Sequence, residues 1–199
     1  MKSDIILSGV GGQGILSIAA TIGMAALENN LQLKQSEVHG MSQRGGAVES
    51  HLRISDKEIA SDLIPIGKAD LILSVEPMES LRYLPYLSEN GWLVTNSTPF
   101  VNIKDYPDEK EVIKTIESLP HYVIIDADGI AKRVKSPRSS NMVMLGASSP
   151  FLDIPYKSLE NGIKKIFGRK GEKVVNLNIE ALKAGREFAQ ESIKIEAKN

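Results

Sequence analysis

Gly9, Gly11 and Gly14 fall at G-x-G-x-x-G spacing within ILSGVGGQGILSIAA, residues 6–20. A short apolar run precedes this loop and an Ala-rich segment follows it. A loop between the end of a strand and the start of a helix turns backbone N–H groups and the positive end of the helix dipole toward an anion. Gly9 is expected to permit the tight turn, Gly11 the close approach of a ligand, and Gly14 close helix–strand packing. Gly12 and Gln13 complete the candidate binding loop. Glu37 falls 23 residues after Gly14, where a dinucleotide site carries its ribose-binding acid. Two features run against a nicotinamide site. Ile18 occupies the position where such sites usually carry a small residue, and Glu37 opens a polar, glycine-bearing loop, EVHGMSQRGGAVESHLR. A glycine turn that only packs a helix on a strand is the plainer alternative.

Within that second loop, Arg44 has the chemistry to hold a carboxylate or phosphate bidentately. The structural alternative is a salt bridge, for instance to Glu37. Gly45 and Gly46 give the loop backbone angles closed to other residues. His39 is a candidate acid–base or hydrogen-bonding group, and Ser42 and Gln43 are candidate neutral donors. Asn141 is expected to cap a helix, with Met142 and Met144 filling core or interface. Asp126 and Asp128 end a strand at the ligand-binding edge of an open sheet. Two acids there raise the question of magnesium, but strand-end and N-cap acids are commoner.

The elements that must position these residues follow from periodicity. Compact apolar or alternating runs predict strands at 4–9, 31–38, 47–55, 69–75, 91–97 and 121–127. Helices are expected after the glycine loop, from Glu76-Pro77 through MESLRYLPYLSEN, over 108–119, from Asp128, around 141–147, and near 155–167 and 176–193. His39 to Gly46 reads as a loop. The alternation predicts an α/β, Rossmann-like three-layer sandwich: a mostly parallel sheet with helices on both faces and a helical C-terminal portion. Because 47–55 follows its predecessor by only a loop, it is expected to be antiparallel. No repeat or linker divides residues 1–199, so a single domain is expected.

The 199 residues are 42% hydrophobic and 25% charged, with formal net charge −1. These are ordinary values for a soluble globular protein. They supply no field for nucleic acid or an anionic membrane, and no apolar run approaches the ~20 residues of a membrane span. A cytoplasmic protein is expected. The chain has no cysteine, which excludes a disulfide, a catalytic thiol and a Cys-ligated iron–sulfur cluster on it. Its three histidines, at 39, 51 and 121, are too far apart for a compact zinc signature.

GVGGQGI together with SEVHGMSQRGGAVESHLRIS resembles the gamma-type subunits of the 2-oxoacid:ferredoxin oxidoreductases, within which HGMSQRGG is most similar to the small subunits of the indolepyruvate type. SSNMVMLGA and NLNIEALKAGREFA extend the resemblance over nearly the whole chain. In this family thiamine diphosphate decarboxylates a 2-oxoacid, iron–sulfur clusters carry electrons to ferredoxin, and coenzyme A takes the acyl group. The resemblance therefore implies that thiamine diphosphate, magnesium and 4Fe–4S clusters sit on a large partner subunit, and that this chain holds none of them. The absence of a Gly-Asp-Gly diphosphate motif agrees with that division. It further implies that this chain completes the active site or shapes the approach of substrate and coenzyme A. From the two loops themselves, Glu37, His39 and Arg44 are the candidate catalytic groups, and Gly9, Gly11, Gly12, Gln13, Gly14, Gln43, Gly45 and Gly46 the candidate binding residues, with coenzyme A as the candidate ligand. Three classes stay open on the sequence alone. They are an oxidoreductase subunit (indolepyruvate, or pyruvate or 2-oxoglutarate, as substrate), a stand-alone NAD(P)-dependent enzyme, and a coenzyme A-binding module.

Overall fold

The computed structural model describes residues 1–40, 45–101 and 103–196. Ser42, Gln43 and Arg44 therefore lie outside the described residues, as do Met41 and Asn102. The chain runs β1 (Lys2–Val10), α1 (Ile15–Glu28), β2 (Gln32–His39), β3 (Ala47–Ser55), β4 (Ala69–Ser74), α2 (Pro77–Arg82), β5 (Leu87–Asn96), α3 (Glu109–Glu117), β6 (Tyr122–Ile125), α4 (Ala127–Arg133), α5 (Ser140–Ser148), α6 (Tyr156–Phe167) and α7 (Glu172–Glu196).

The strands form one six-stranded sheet in the order β2-β3-β1-β4-β5-β6. β1 pairs in parallel with β4, β4 with β5, and β5 with β6, while β3 runs antiparallel to both β1 and β2. The expected α/β architecture holds, including the one reversed strand. β1 shows why its apolar run is continuous. Ile5 and Leu7 enter one core and Ile6 the other, all fully buried, as a central strand covered on both faces requires. One core lies under α1, α4, α5, α6 and α7, the other under α2 and α3. Ile18 and Ile22 of α1 are also fully buried, each worth about 1.5–3 kcal/mol of transfer free energy.

Two departures from the periodicity have local causes. Glu76 caps α2 as its carboxylate accepts from the Glu79 N–H, and Pro77 opens the helix as expected. The helix stops at Arg82, however, because Pro85 has no N–H for a further turn and its ring would clash with the carbonyl one turn back. A short 3-10 turn, Leu84–Tyr86, leads into β5, which begins at Leu87 rather than at Gly91. His39, expected in a loop, is instead the last residue of β2, paired with Val48.

α5 and α7 cross with their backbones in contact. A Cβ on Gly185 would lie 1.9 Å from the Val143 carbonyl oxygen, and one on Gly146 the same distance from that of Leu182. This crossing sets where the N-terminus of α5 points.

Candidate functional site

β1 ends at Val10 and α1 begins at Ile15, so the glycine loop stands at the carboxyl edge of the parallel strands. Gly14 is the N-cap of α1, left-handed at φ 85° and ψ 24°, with no side-chain cap. The Ile15 and Leu16 amides thus keep their donors for a ligand or water, while Ser17 N turns back to Gly14 O at 3.0 Å. Gln13 braces the loop instead: its Oε1 accepts from Val10 N at 2.7 Å and its Nε2 donates to the Val75 carbonyl at 3.3 Å. The antiparallel ladder of β1 and β3 continues past the strand ends. Gly11 N donates to Gly46 O at 2.8 Å and Gly45 N to Gly11 O at 3.4 Å. The two glycine segments, 35 positions apart from Gly11 to Gly46 in sequence, are thus held together by strand register.

These contacts reassign the glycines. Gly9 lies within β1 and does not form a turn; its missing Cβ makes room for Val75, whose Cγ2 would be 2.3 Å away. The Gly11 amide is engaged by Gly46. Gly12, at φ 103°, opens onto free space: a Cβ there would meet nothing within 4 Å. Gly14 admits Asn141 of α5 rather than a strand, since a Cβ would lie 2.5 Å from Asn141 Nδ2.

Asn141 is not the N-cap of α5; Ser139 holds that position without a side-chain bond. Asn141 Oδ1 accepts from Met142 N at 3.0 Å, while its Nδ2 donates to Gly14 O at 3.2 Å. It is a strut tying the start of α5 to the start of α1. The two N-termini converge on a cavity of about 720 Å³, lined on one side by Gly12, Gln13, Gly14 and Ser17 and on the other by Ser139 and Ser140. Lys135, Arg138 and Lys170 also line it, and among the described residues no acid does. Among the described residues none of these cations forms an ion pair. Two helix dipoles and three cations give this cavity the electrostatics of a phosphate site.

A smaller cavity of about 230 Å³ adjoins it at the carboxyl ends of β4, β5 and β6, sharing Gln13, Ser140 and Asn141. Asn96, at the end of β5, accepts from Ala127 N at 3.1 Å and donates to Asp128 Oδ2 at 3.0 Å. Asp126 caps α4 through Gly129 N at 2.7 Å, the structural role expected of it. Beneath this cavity the fully buried Glu76 also accepts from Phe100 N at 3.2 Å and from the Tyr106 hydroxyl. Burial, reinforced by that carboxylate, pushes the Tyr106 phenol above its ordinary range.

Glu37 and His39 lie elsewhere. Glu37 Oε1 contacts His39 Nε2, and its Oε2 accepts from Gln35 Nε2 at 3.1 Å. Neither residue lines either cavity. A ribose-binding acid needs its strand beside β1, but β3 intervenes here, which leaves β2 roughly 10 Å from β1 at about 4.8 Å per strand. The dinucleotide spacing of Glu37 is thus not a dinucleotide geometry. Lys135, Arg138, Lys170 and Asn96 were not singled out by sequence reasoning. KSPRSSN, two cations and three serines just before a helix, was the available signal for the first two; Lys170 and Asn96 carried none.

The family model described as pyruvate ferredoxin/flavodoxin oxidoreductase matches residues 4–188. The chain belongs to this family. It is 36% identical over 199 residues to the indolepyruvate oxidoreductase subunit IorB of Methanothermobacter thermautotrophicus, covering 96% of this chain and all of that one. The gamma subunit of a keto/oxoacid ferredoxin oxidoreductase from Geobacter sulfurreducens superposes with a TM-score of 0.70 at 26% identity, over 95% of this chain and 99% of that one. A 2-oxoglutarate:ferredoxin oxidoreductase from Magnetococcus marinus, with 2-oxoglutarate, coenzyme A and succinyl-CoA bound, shares the fold at TM-score 0.75 and 24% identity. That match covers 96% of this chain, which spans only 31% of the longer one. The family's members are oxidoreductase subunits, as the gamma-type resemblance implied. Without a cysteine this chain cannot ligate an iron–sulfur cluster through thiolates. Among the described residues no group of three or more His, Asp or Glu side chains gathers to hold a metal ion.

Proposed function

We propose that the chain is the small subunit of an indolepyruvate:ferredoxin oxidoreductase and that its basic cavity holds the phosphates of coenzyme A, the acyl acceptor. The observation that carries this reading is the convergence of two helix N-termini with Lys135, Arg138 and Lys170 over the glycine loop. Gly12 and Gly14 let the ligand reach the uncapped amides of α1, and Gln13 and Gly11 hold the loop that presents them. Each charge-assisted hydrogen bond to a phosphate contributes about 1.5–3 kcal/mol.

In this reading thiamine diphosphate, magnesium and 4Fe–4S clusters belong to a large partner subunit, which decarboxylates the aryl pyruvate and passes electrons to ferredoxin. The chain is inactive without it, cytoplasmic, one domain over 1–199, and has no nucleic-acid or membrane partner. Among the described residues no helix is long and apolar enough to cross a membrane. Glu37, His39 and Arg44, with Gln43, Gly45 and Gly46, form a second functional element that meets the 2-oxoacid at the partner's site. The pairing of Glu37 with His39 supports it, because a carboxylate on one ring nitrogen orients the imidazole.

Co-expression with the large subunit tests the proposal. The chain alone should be colourless and without 2-oxoacid oxidation. The complex should reduce ferredoxin in a coenzyme A-dependent reaction, with indolepyruvate preferred to pyruvate and 2-oxoglutarate. Turnover by the chain alone, or micromolar affinity for NADH or NADPH, would overturn it.

A further inference from the structure

The formal net charge of −1 conceals a strong asymmetry. KRVKSPR, residues 132–138, and KKIFGRKGEK, residues 164–173, hold nine of the chain's 24 Lys and Arg but only one of its 25 acids. The rest of the sequence is left with 15 cations against 24 acids. The fold brings the two basic segments together: Lys135 and Arg138 of the first and Lys170 of the second line the same cavity. All nine cations are exposed, and among the described residues only Lys165 forms an ion pair, with Glu28. Two of them stand where the local backbone disfavours them. Lys135 has φ 58°, the left-handed region past a helix end where glycine is usual. Lys173 lies in the first turn of α7, at the positive end of the helix dipole, where an acid would be favoured. Neither placement helps the local fold.

We infer that the two segments form an electrostatic funnel: Lys132, Arg133, Arg169 and Lys173, which do not line the cavity, draw a polyanionic ligand to its mouth and set the rate of capture. The inference rests on the reading of the cavity as the coenzyme A phosphate site and adds how the ligand reaches it. Cations of one sign around a cleft focus the field into it and raise the association rate. Exposed charges act over roughly a Debye length, about 8 Å at physiological ionic strength. Each of the four lies within three positions of a cation that lines the cavity, which keeps it inside or near that range. Because they touch no bound ligand, they govern association and its salt dependence, whereas the lining cations govern dissociation.

Rapid-mixing kinetics of coenzyme A and dephospho-coenzyme A with the full chain, across a salt series, test this. Coenzyme A carries the additional phosphate, so it should associate faster at low ionic strength and lose rate more steeply as salt rises. Arg169→Glu combined with Lys173→Glu should slow association about tenfold at low salt, with dissociation unchanged. The melting temperature should not fall, since an acid at 173 suits the start of α7. The same change in net charge on the opposite sheet face, Lys110→Glu with Lys114→Glu on α3, should leave association within about twofold of the parent. A salt-independent association rate, or equal slowing by the two double variants, would overturn the funnel and leave the phosphate site standing. No binding of coenzyme A would overturn the phosphate-site reading and the funnel with it.

Discussion

The crevice over the glycine loop and the Glu37–His39 pair on β2 stand at the same edge of the sheet, with one strand between them, yet they are built in opposite ways. The crevice is cross-braced: Gln13 ties the loop to β1 and β4, Asn141 ties α1 to α5, and Gly46 fixes Gly11. β2 is an outer strand paired on one side only, and its Val38 is 61% exposed. The first arrangement fixes its surface by contacts within the chain. The second exposes an apolar side chain on a strand paired on one side only.

The contrast breaks most visibly in stability. Gly185→Ala forces a Cβ against the Val143 carbonyl, at the crossing that aims α5 into the crevice. It should cost about 3 kcal/mol or more, a fall in Tm of roughly 6–12 °C for a chain of this size. Val38→Thr on the outer strand should stay within about 0.5 kcal/mol. Thermal melts of the two variants side by side check this, and equal losses would mean that the edge is as tightly built as the crevice.

Binding sharpens the same comparison. Lys135→Ala combined with Arg138→Ala should weaken coenzyme A at least about ten- to a hundredfold in the isolated chain. Glu37→Gln should leave that affinity unchanged and lower turnover of the assembled complex. Arg44→Ala should behave like Glu37→Gln, and Arg44→Lys should restore only part of the activity, because an ammonium lacks the planar fork.

The smallest effect lies on the sheet face opposite α1. Burial raises the Glu79 carboxyl above its ordinary range, and Arg82 offsets this only in part. The unfolded chain therefore ionises first, and the fold loses stability as pH rises from about 4.3 through the higher folded value. Glu79→Gln removes that loss. Urea titrations should show the variant gaining on the parent from pH 4 to pH 7, by under about 1 kcal/mol against the lost Arg82 pairing. A constant difference across that range would contradict the assignment.

Much of the fold was legible because its signals are local. The apolar run of β1, the glycine loop and the caps Asp108 and Asp126 each act within a few residues. The early end of α2 is legible in Pro85, which cannot continue a helix. What was not legible depends on contacts between distant residues. That β3 inserts between β1 and β2 is a matter of register, and it alone separates Glu37 from the glycine loop. Asn141 looks like a cap because only the packing of α5 on α7 brings it 3.2 Å from Gly14 O. Lys135 and Lys170 reach the loop only through the folding of α4, α5 and α6 around it.

The central claim is that the braced crevice, rather than the outer edge, receives coenzyme A. Steady-state kinetics of the reconstituted complex with Arg138→Ala, varying coenzyme A and the 2-oxoacid separately, tests it most directly. The account predicts a KM for coenzyme A raised about ten- to a hundredfold, with kcat and the KM for the 2-oxoacid unchanged. An unaltered KM for coenzyme A, in a variant that folds and assembles as the parent does, would contradict it.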